Sequence, residues 1–264
     1  MRRSIRIALA ILVLLLVSWG MWRVLRSEPT YEGRPLASWL QQHADAAYTG
    51  DQRAREEAEI AIQHIGTNAL PTLWLWITKR DSSAKKFLLA NWPFGERALI
   101  QLGVHPAGEY HAKTTYACGV LKAAARPLVP GLILLLKDSD PDIRSSAAFA
   151  LGRIGPAAEA AVPALMASLA DSAAQNNALA ALRAIDVKPE ILVRVLGEFL
   201  SSTNLGQQLW AMANLAAYGT NARSAAPKIL ELIHDPRWYL GNAASNCIKE
   251  IDPAGLRGDS RGRD

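Results

Sequence analysis

Between Arg53 and Asp252 apolar residues recur at spacings of three and four, with no sustained alternation at period two. The clearest run is Ile143, Ala147, Ala150, Leu151 and Ile154, which form one stripe along a helix. Asp140-Pro141 precedes it and supplies an N-cap acceptor and a proline at the first helical position. Gly155-Pro156 ends it. A second helix then starts near Ala160 and carries Val162, Leu165, Met166 and Leu169. The pattern predicts two short helices joined by a tight turn. Alanine and glycine dominate the inner face, so the two axes can approach closely. Such a pair cannot bury both of its faces alone.

The partners that would bury them are copies of the same pattern. Thr114–Leu132 lies on it, without gaps, 33 residues earlier. Ala117 falls on Ala150, Cys118 on Leu151, Gly119 on Gly152, and Val129-Pro130 on Val162-Pro163. Ala211–Leu230 lies on it downstream, with Gly219 on Gly155 and Pro227 on Pro163. Gly66, Asp186 and Asp252 take the turn position in the other copies. The turns therefore stand at 66, 122, 155, 186, 219 and 252, and the last four steps are all close to 33 residues. A period of that size marks a stack of helical hairpins. The first step is longer. Its surplus lies in Asp81–Pro106, where Trp92-Pro93 and Phe94-Gly95 interrupt any continuous helix. The expectation is an all-α solenoid of about six hairpins over 51–258, with a partly helical insertion at 81–106. Residues 27–50 read as a linker and N-terminal cap, and 259–264 as a tail.

The third copy reads Asp-Pro-x-Ile-Arg-x-x-Ala-Ala-x-Ala-Leu-Gly-x-Ile-Gly, then Ala-Val-Pro-Ala-Leu. It resembles the short HEAT-like repeats of the phycocyanobilin-lyase type, and the resemblance covers roughly 53–252. YEGRPLASWLQQ, Tyr31–Gln42, is similar to the opening of bacterial membrane-anchored HEAT-repeat proteins. The resemblance implies an armadillo-like α-solenoid, and it implies a fold rather than an activity.

The N-terminus carries a different pattern. Residues 7–22 are uncharged, with Arg2, Arg3 and Arg6 before them and Arg23 and Arg26 after. A membrane-spanning helix needs about 20 residues, with about 17–25 tolerated. Arginine stems at both ends can extend a slightly short run. Trp19 and Trp22 stand where interfacial aromatics belong. A cleaved signal peptide would want small residues at its cleavage site, and VSWGMWRVLRSEP offers none. Residues 1–26 are therefore expected to form an uncleaved, single-pass inner-membrane anchor. The greater positive charge before the run places the solenoid on the extracytoplasmic side. These five arginines equal the net charge of +5. The rest of the chain is balanced, so the basic pI is a topology signal and argues against nucleic acid as a partner.

Candidate chemistry is sparse. The carboxylates of Asp138–Asp142 lack the Gly and Glu that a calcium loop would need at positions held by Ile143 and Phe149. They read as a helix N-terminus. His105, Glu109 and His111 suit a transition metal by type, but their segment reads as a solvated loop. Cys118 and Cys247 fall on core positions too far apart for a disulfide. The repeat is shared with bilin lyases and with iron-dependent deoxyhypusine hydroxylases. The hydroxylases use His-Glu dipeptides, and none occurs here. No phosphate loop or nucleophile elbow is present. No catalytic residue, metal or cofactor is expected. The preferred function is a non-catalytic protein-binding scaffold, and an enzyme of the lyase or hydroxylase group is the alternative.

One column of the second helices is a candidate partner-binding ridge. It runs Leu75, Leu134, Ala167, Arg194 and Glu231, with Trp76 beside Leu75. Unit three is expected to bury Leu165, Met166, Ser168 and Leu169 and to leave Ala164 and Ala167 open. The ridge is apolar toward the N-terminus and charged distally. Either it meets a partner, or the insertion folds over Leu75 and Leu134.

Overall fold

The computed structural model describes residues 28–93 and 95–253. The expected anchor at 1–26 and the tail at 259–264 lie outside the described residues. The described chain opens with an antiparallel hairpin, β1 (Thr30–Tyr31) and β2 (Arg34–Pro35). Its turn residues Glu32 and Gly33 both have positive φ, as a two-residue hairpin turn of the primed type requires. The α-helical pattern gave no sign of this hairpin. α1 (Leu36–Thr49) follows as a cap and buries Leu36, Trp39, Leu40, His43 and Ala46.

Helical hairpins then stack. Unit one is α2 (Gln52–Ile65) with α3 (Leu70–Ile77). The insertion supplies α4 (Ser83–Asn91) and α5 (Gly95–Gln101). Unit two is α6 (Ala107–Leu121) with α7 (Val129–Leu135), and unit three is α8 (Pro141–Ile154) with α9 (Val162–Ser168). Unit four is α10 (Gln175–Ala184) with α11 (Pro189–Phe199), and unit five is α12 (Leu205–Ala216) with α13 (Ala226–Ile233). Unit six contributes α14 (Trp238–Ile251), the last helix among the described residues. A 3-10 segment, Gly155–Ala161, fills the turn of unit three, so its second helix starts at Val162.

The repeat register is visible in the backbone. Five of the six turn positions have positive φ: Gly66 (54°), Lys122 (46°), Gly155 (75°), Asp186 (72°) and Gly219 (53°). Glycine is at home there; lysine is not. The Asp140 carboxylate caps α8, accepting from the Asp142 N–H at 3.0 Å. Ile62, Cys118, Leu151, Leu182, Leu215 and Ile248 share one register position, and all are buried. Gly152 faces the backbone of α10. A Cβ added there would stand 2.9 Å from the Ala181 Cα, so glycine sets how closely α8 and α10 pack.

Ion pairs tie the layers at their edges. Arg144 grips Asp171 with Nε–Oδ2 at 2.6 Å and Nη2–Oδ1 at 3.2 Å. Arg80 holds Asp138 at 2.6 Å, one repeat earlier. Both cysteines are free and buried. Burial pushes the Cys118 thiol up to about 12 and that of Cys247 up to about 11, so neither is a reactive thiolate. One helical run, Ala107–Leu135, is long and apolar enough by composition to cross a membrane. It is the helix pair of unit two, turned at Lys122 and packed within the stack.

Candidate functional site: two open faces of the solenoid

The second helices present the expected column to solvent. Leu75 is 47% exposed and Leu134 is 74% exposed. Ala167, Arg194 and Glu231 are exposed as well, while Trp76 is half-buried with its ring 6.0 Å from Tyr110. In unit three Leu165, Ser168 and Leu169 are buried, but Met166 and Ala164 are both half-buried. Among the described residues, the insertion does not fold over Leu75 and Leu134. It is closed at its own base, where Asp81 Oδ1 pairs with Lys85 Nζ at 2.6 Å and Oδ2 accepts from the Ala107 N–H at 2.9 Å. Lys85 also donates to the His105 carbonyl at 2.6 Å.

His105, Glu109 and His111 do not converge. The expected loop is mostly helix, because α6 begins at Ala107. His105 Nδ1 bonds the Glu109 carboxylate at 2.7 Å on the surface. His111 points the other way and is buried; its Nε2–H donates to the Lys79 carbonyl at 2.9 Å. That leaves Nδ1 to accept from the Ser146 hydroxyl at 3.4 Å, a link between α6 and α8. Among the described residues no group of three or more His, Cys, Asp or Glu could hold a metal.

The opposite face, built by the first helices, holds a groove of about 520 Å³. Its walls come from α1, α2, α6, α8 and α10, with Lys122 from the turn of unit two. His43 stands at one end and Ala180, Ala181 and Ala184 at the other, with Gly119 and Gly152 between them. A smaller cavity of about 210 Å³ continues it, sharing Phe149 and Asn177 and adding Tyr116. His43 is buried, and its Nε2–H donates to Glu59 Oε1 at 3.1 Å. Arg55 Nε holds the same oxygen at 3.0 Å. Burial works to raise Glu59, but the bonds from Arg55 and His43 outweigh it and hold the carboxyl below its ordinary value. The Tyr116 ring lies 6.1 Å from His43.

Sequence reasoning missed this groove. Phe149 is exposed, with Ile60, Tyr116, Ala180, Ala213 and Asn246 in the same open column. The signal was present: His43 follows Leu36 by seven, Trp39 by four and Leu40 by three, which places it on the buried stripe of α1.

Residues 112–186 match HEAT repeats. The match runs from within α6 to the turn after α10, which contains unit three entire. The crystal structure of an engineered protein from the Northeast Structural Genomics Consortium is similar at 20% identity and a TM-score of 0.39, over 83% of this chain and 96% of that one. No curated protein matches the sequence. Helical repeats of this kind generally mediate protein–protein interaction, and both open faces described above are surfaces of such a stack.

Proposed function

We propose that the protein is a non-catalytic protein-binding scaffold, held at the membrane by residues 1–26 with its solenoid on the extracytoplasmic side. The observation that carries the binding role is the Leu75–Leu134 column. Two leucines stand open on adjacent units, and none of the described chain covers them. Exposed apolar patches of this kind mark protein contacts. The anchor is supported by the uncharged run 7–22 between arginines. The polar groups that suggest chemistry are engaged in structure, His105 with Glu109 and His111 with Lys79 and Ser146.

A photo-crosslinking residue placed at 134 in the full chain, in living cells, tests the ridge. Adducts identified by mass spectrometry should form from position 134 and not from position 231, and Leu75→Asp should abolish them. Equal labelling from both positions removes the ridge as a docking surface. Carbonate extraction tests the anchor: the full chain should stay with membranes, and a chain starting at Glu28 should be released.

A further inference from the structure

The cations of the first-helix groove are not balanced. Arg55, Lys122 and Arg153 line it against a single carboxylate, Glu59, which Arg55 and His43 already occupy. The side chains of Lys122 and Arg153 have no hydrogen bond or ion pair among the described residues. The Arg153 guanidinium has a prepared seat. It lies directly against Gly119, in the last turn of α6, where an added Cβ would stand 2.6 Å from its Cζ.

Gly119 and Gly152 hold the same register position, but their missing Cβ atoms serve different neighbours. At Gly152 the neighbour is the backbone of Ala181, so glycine is needed for helix packing. At Gly119 all three nearest atoms belong to the Arg153 guanidinium, the far end of a flexible side chain. Packing alone does not require glycine there, and glycine is a poorer helix former than alanine. What Gly119 secures is the position of a charge.

We propose that this groove binds an extended acidic segment of a protein partner, with a carboxylate on Arg153 and an apolar side chain against Tyr116 and Phe149. The proposal rests on the scaffold reading and names the site and chemistry of one partner. An unpaired guanidinium fork matches a carboxylate in two parallel hydrogen bonds. The groove crosses α6, α8 and α10, about 20 Å at the usual spacing of about 8–10 Å between packed helices. That is about six residues of extended chain at about 3.3 Å each, a length that suits a peptide segment rather than a small anion. The aromatic wall formed by Tyr116 and Phe149 supplies the apolar anchor.

The test is selection of a random twelve-residue display library against the full-length protein in detergent, followed by affinity measurement on the strongest binder. Enriched peptides should combine Asp or Glu with Phe, Trp or Leu. Arg153→Gln should weaken the strongest binder by about tenfold or more, as loss of a charge-assisted pair implies. Arg153→Lys should recover part of that loss. Gly119→Ala should leave the melting temperature unchanged or raised and still weaken binding, because it displaces only the guanidinium. No enrichment, enrichment of neutral or basic peptides, or acidic peptides indifferent to Arg153→Gln each overturns the proposal. Peptides indifferent to Arg153 but lost with Leu134→Asp overturn the groove and leave the scaffold reading standing.

Discussion

Units two to four and the insertion at 81–106 are both helical and both carry large apolar residues, yet they use them in opposite ways. In the stack, Leu151 is fully buried between the helices of neighbouring layers. In the insertion, Phe87 is 69% exposed and Leu102 is open too, while Leu99 is buried outside the main core. The difference is one of neighbours. A repeat residue inherits its surroundings from the copies above and below, whereas the helices of the insertion pack chiefly on each other. Burial follows position in the repeat, not hydrophobicity alone.

Leu151→Ala should break the stacked side of this contrast most severely. It removes fully buried volume and should cost about 2–5 kcal/mol in denaturant unfolding. Gly152→Leu comes next. It drives a side chain into the Ala181 backbone and should cost about 1–3 kcal/mol. Lys122→Gly acts in the other direction. It relieves a lysine held at φ 46° and should stabilise by about 1 kcal/mol, read as a raised denaturation midpoint at unchanged slope.

Acidification compares the ties of the two regions. The hydrogen bond from Arg144 holds Asp171 below its ordinary value. Burial works to raise Asp81, but Lys85 and the Ala107 N–H outweigh it and lower the carboxyl. A depressed carboxyl contributes stability above its unfolded pKa, about 3.9 for Asp, and loses it as the pH falls through the folded value. Each exposed pair contributes about 1 kcal/mol or less. Arg144→Gln should therefore flatten the loss of stability below about pH 4. The smallest effect belongs to the insertion, where Phe87→Ser should stay within about 0.5 kcal/mol of the parent. Phe149→Ser, on the open column of the stack, should be similarly mild. A Phe149 variant more damaging than Leu151→Ala would dissolve the repeat register and the contrast with it.

Periodicity made the stack legible because residues in equivalent positions face equivalent neighbours. That is why Gly66, Gly155 and Asp186 could be placed at turns, and Ile62 through Ile248 in the core, from spacing alone. The groove was not legible in the same way. Its end wall is α1, which is no copy of the repeat, and which packs on both α2 and α6. His43 meets Glu59 across 16 residues and Tyr116 across a longer interval, at separations no period encodes. The Glu32-Gly33 hairpin escaped for a related reason: strands of two residues are too short to alternate.

The close approach at Gly152 also sets how units three and four are spaced along their first helices. Each layer of a solenoid is a wedge, and the chain arcs toward the edge where the wedges are thinner. Along the first helices the facing residues of α8 and α10 are Gly152 and Ala181, with no methyl group on the one and a single methyl on the other, so the wedge is thin at that contact. A methyl group added at residue 152 would thicken the wedge and open the angle between units three and four. Partner preference could then be retuned through the angle between layers, with every charge in the groove left unchanged.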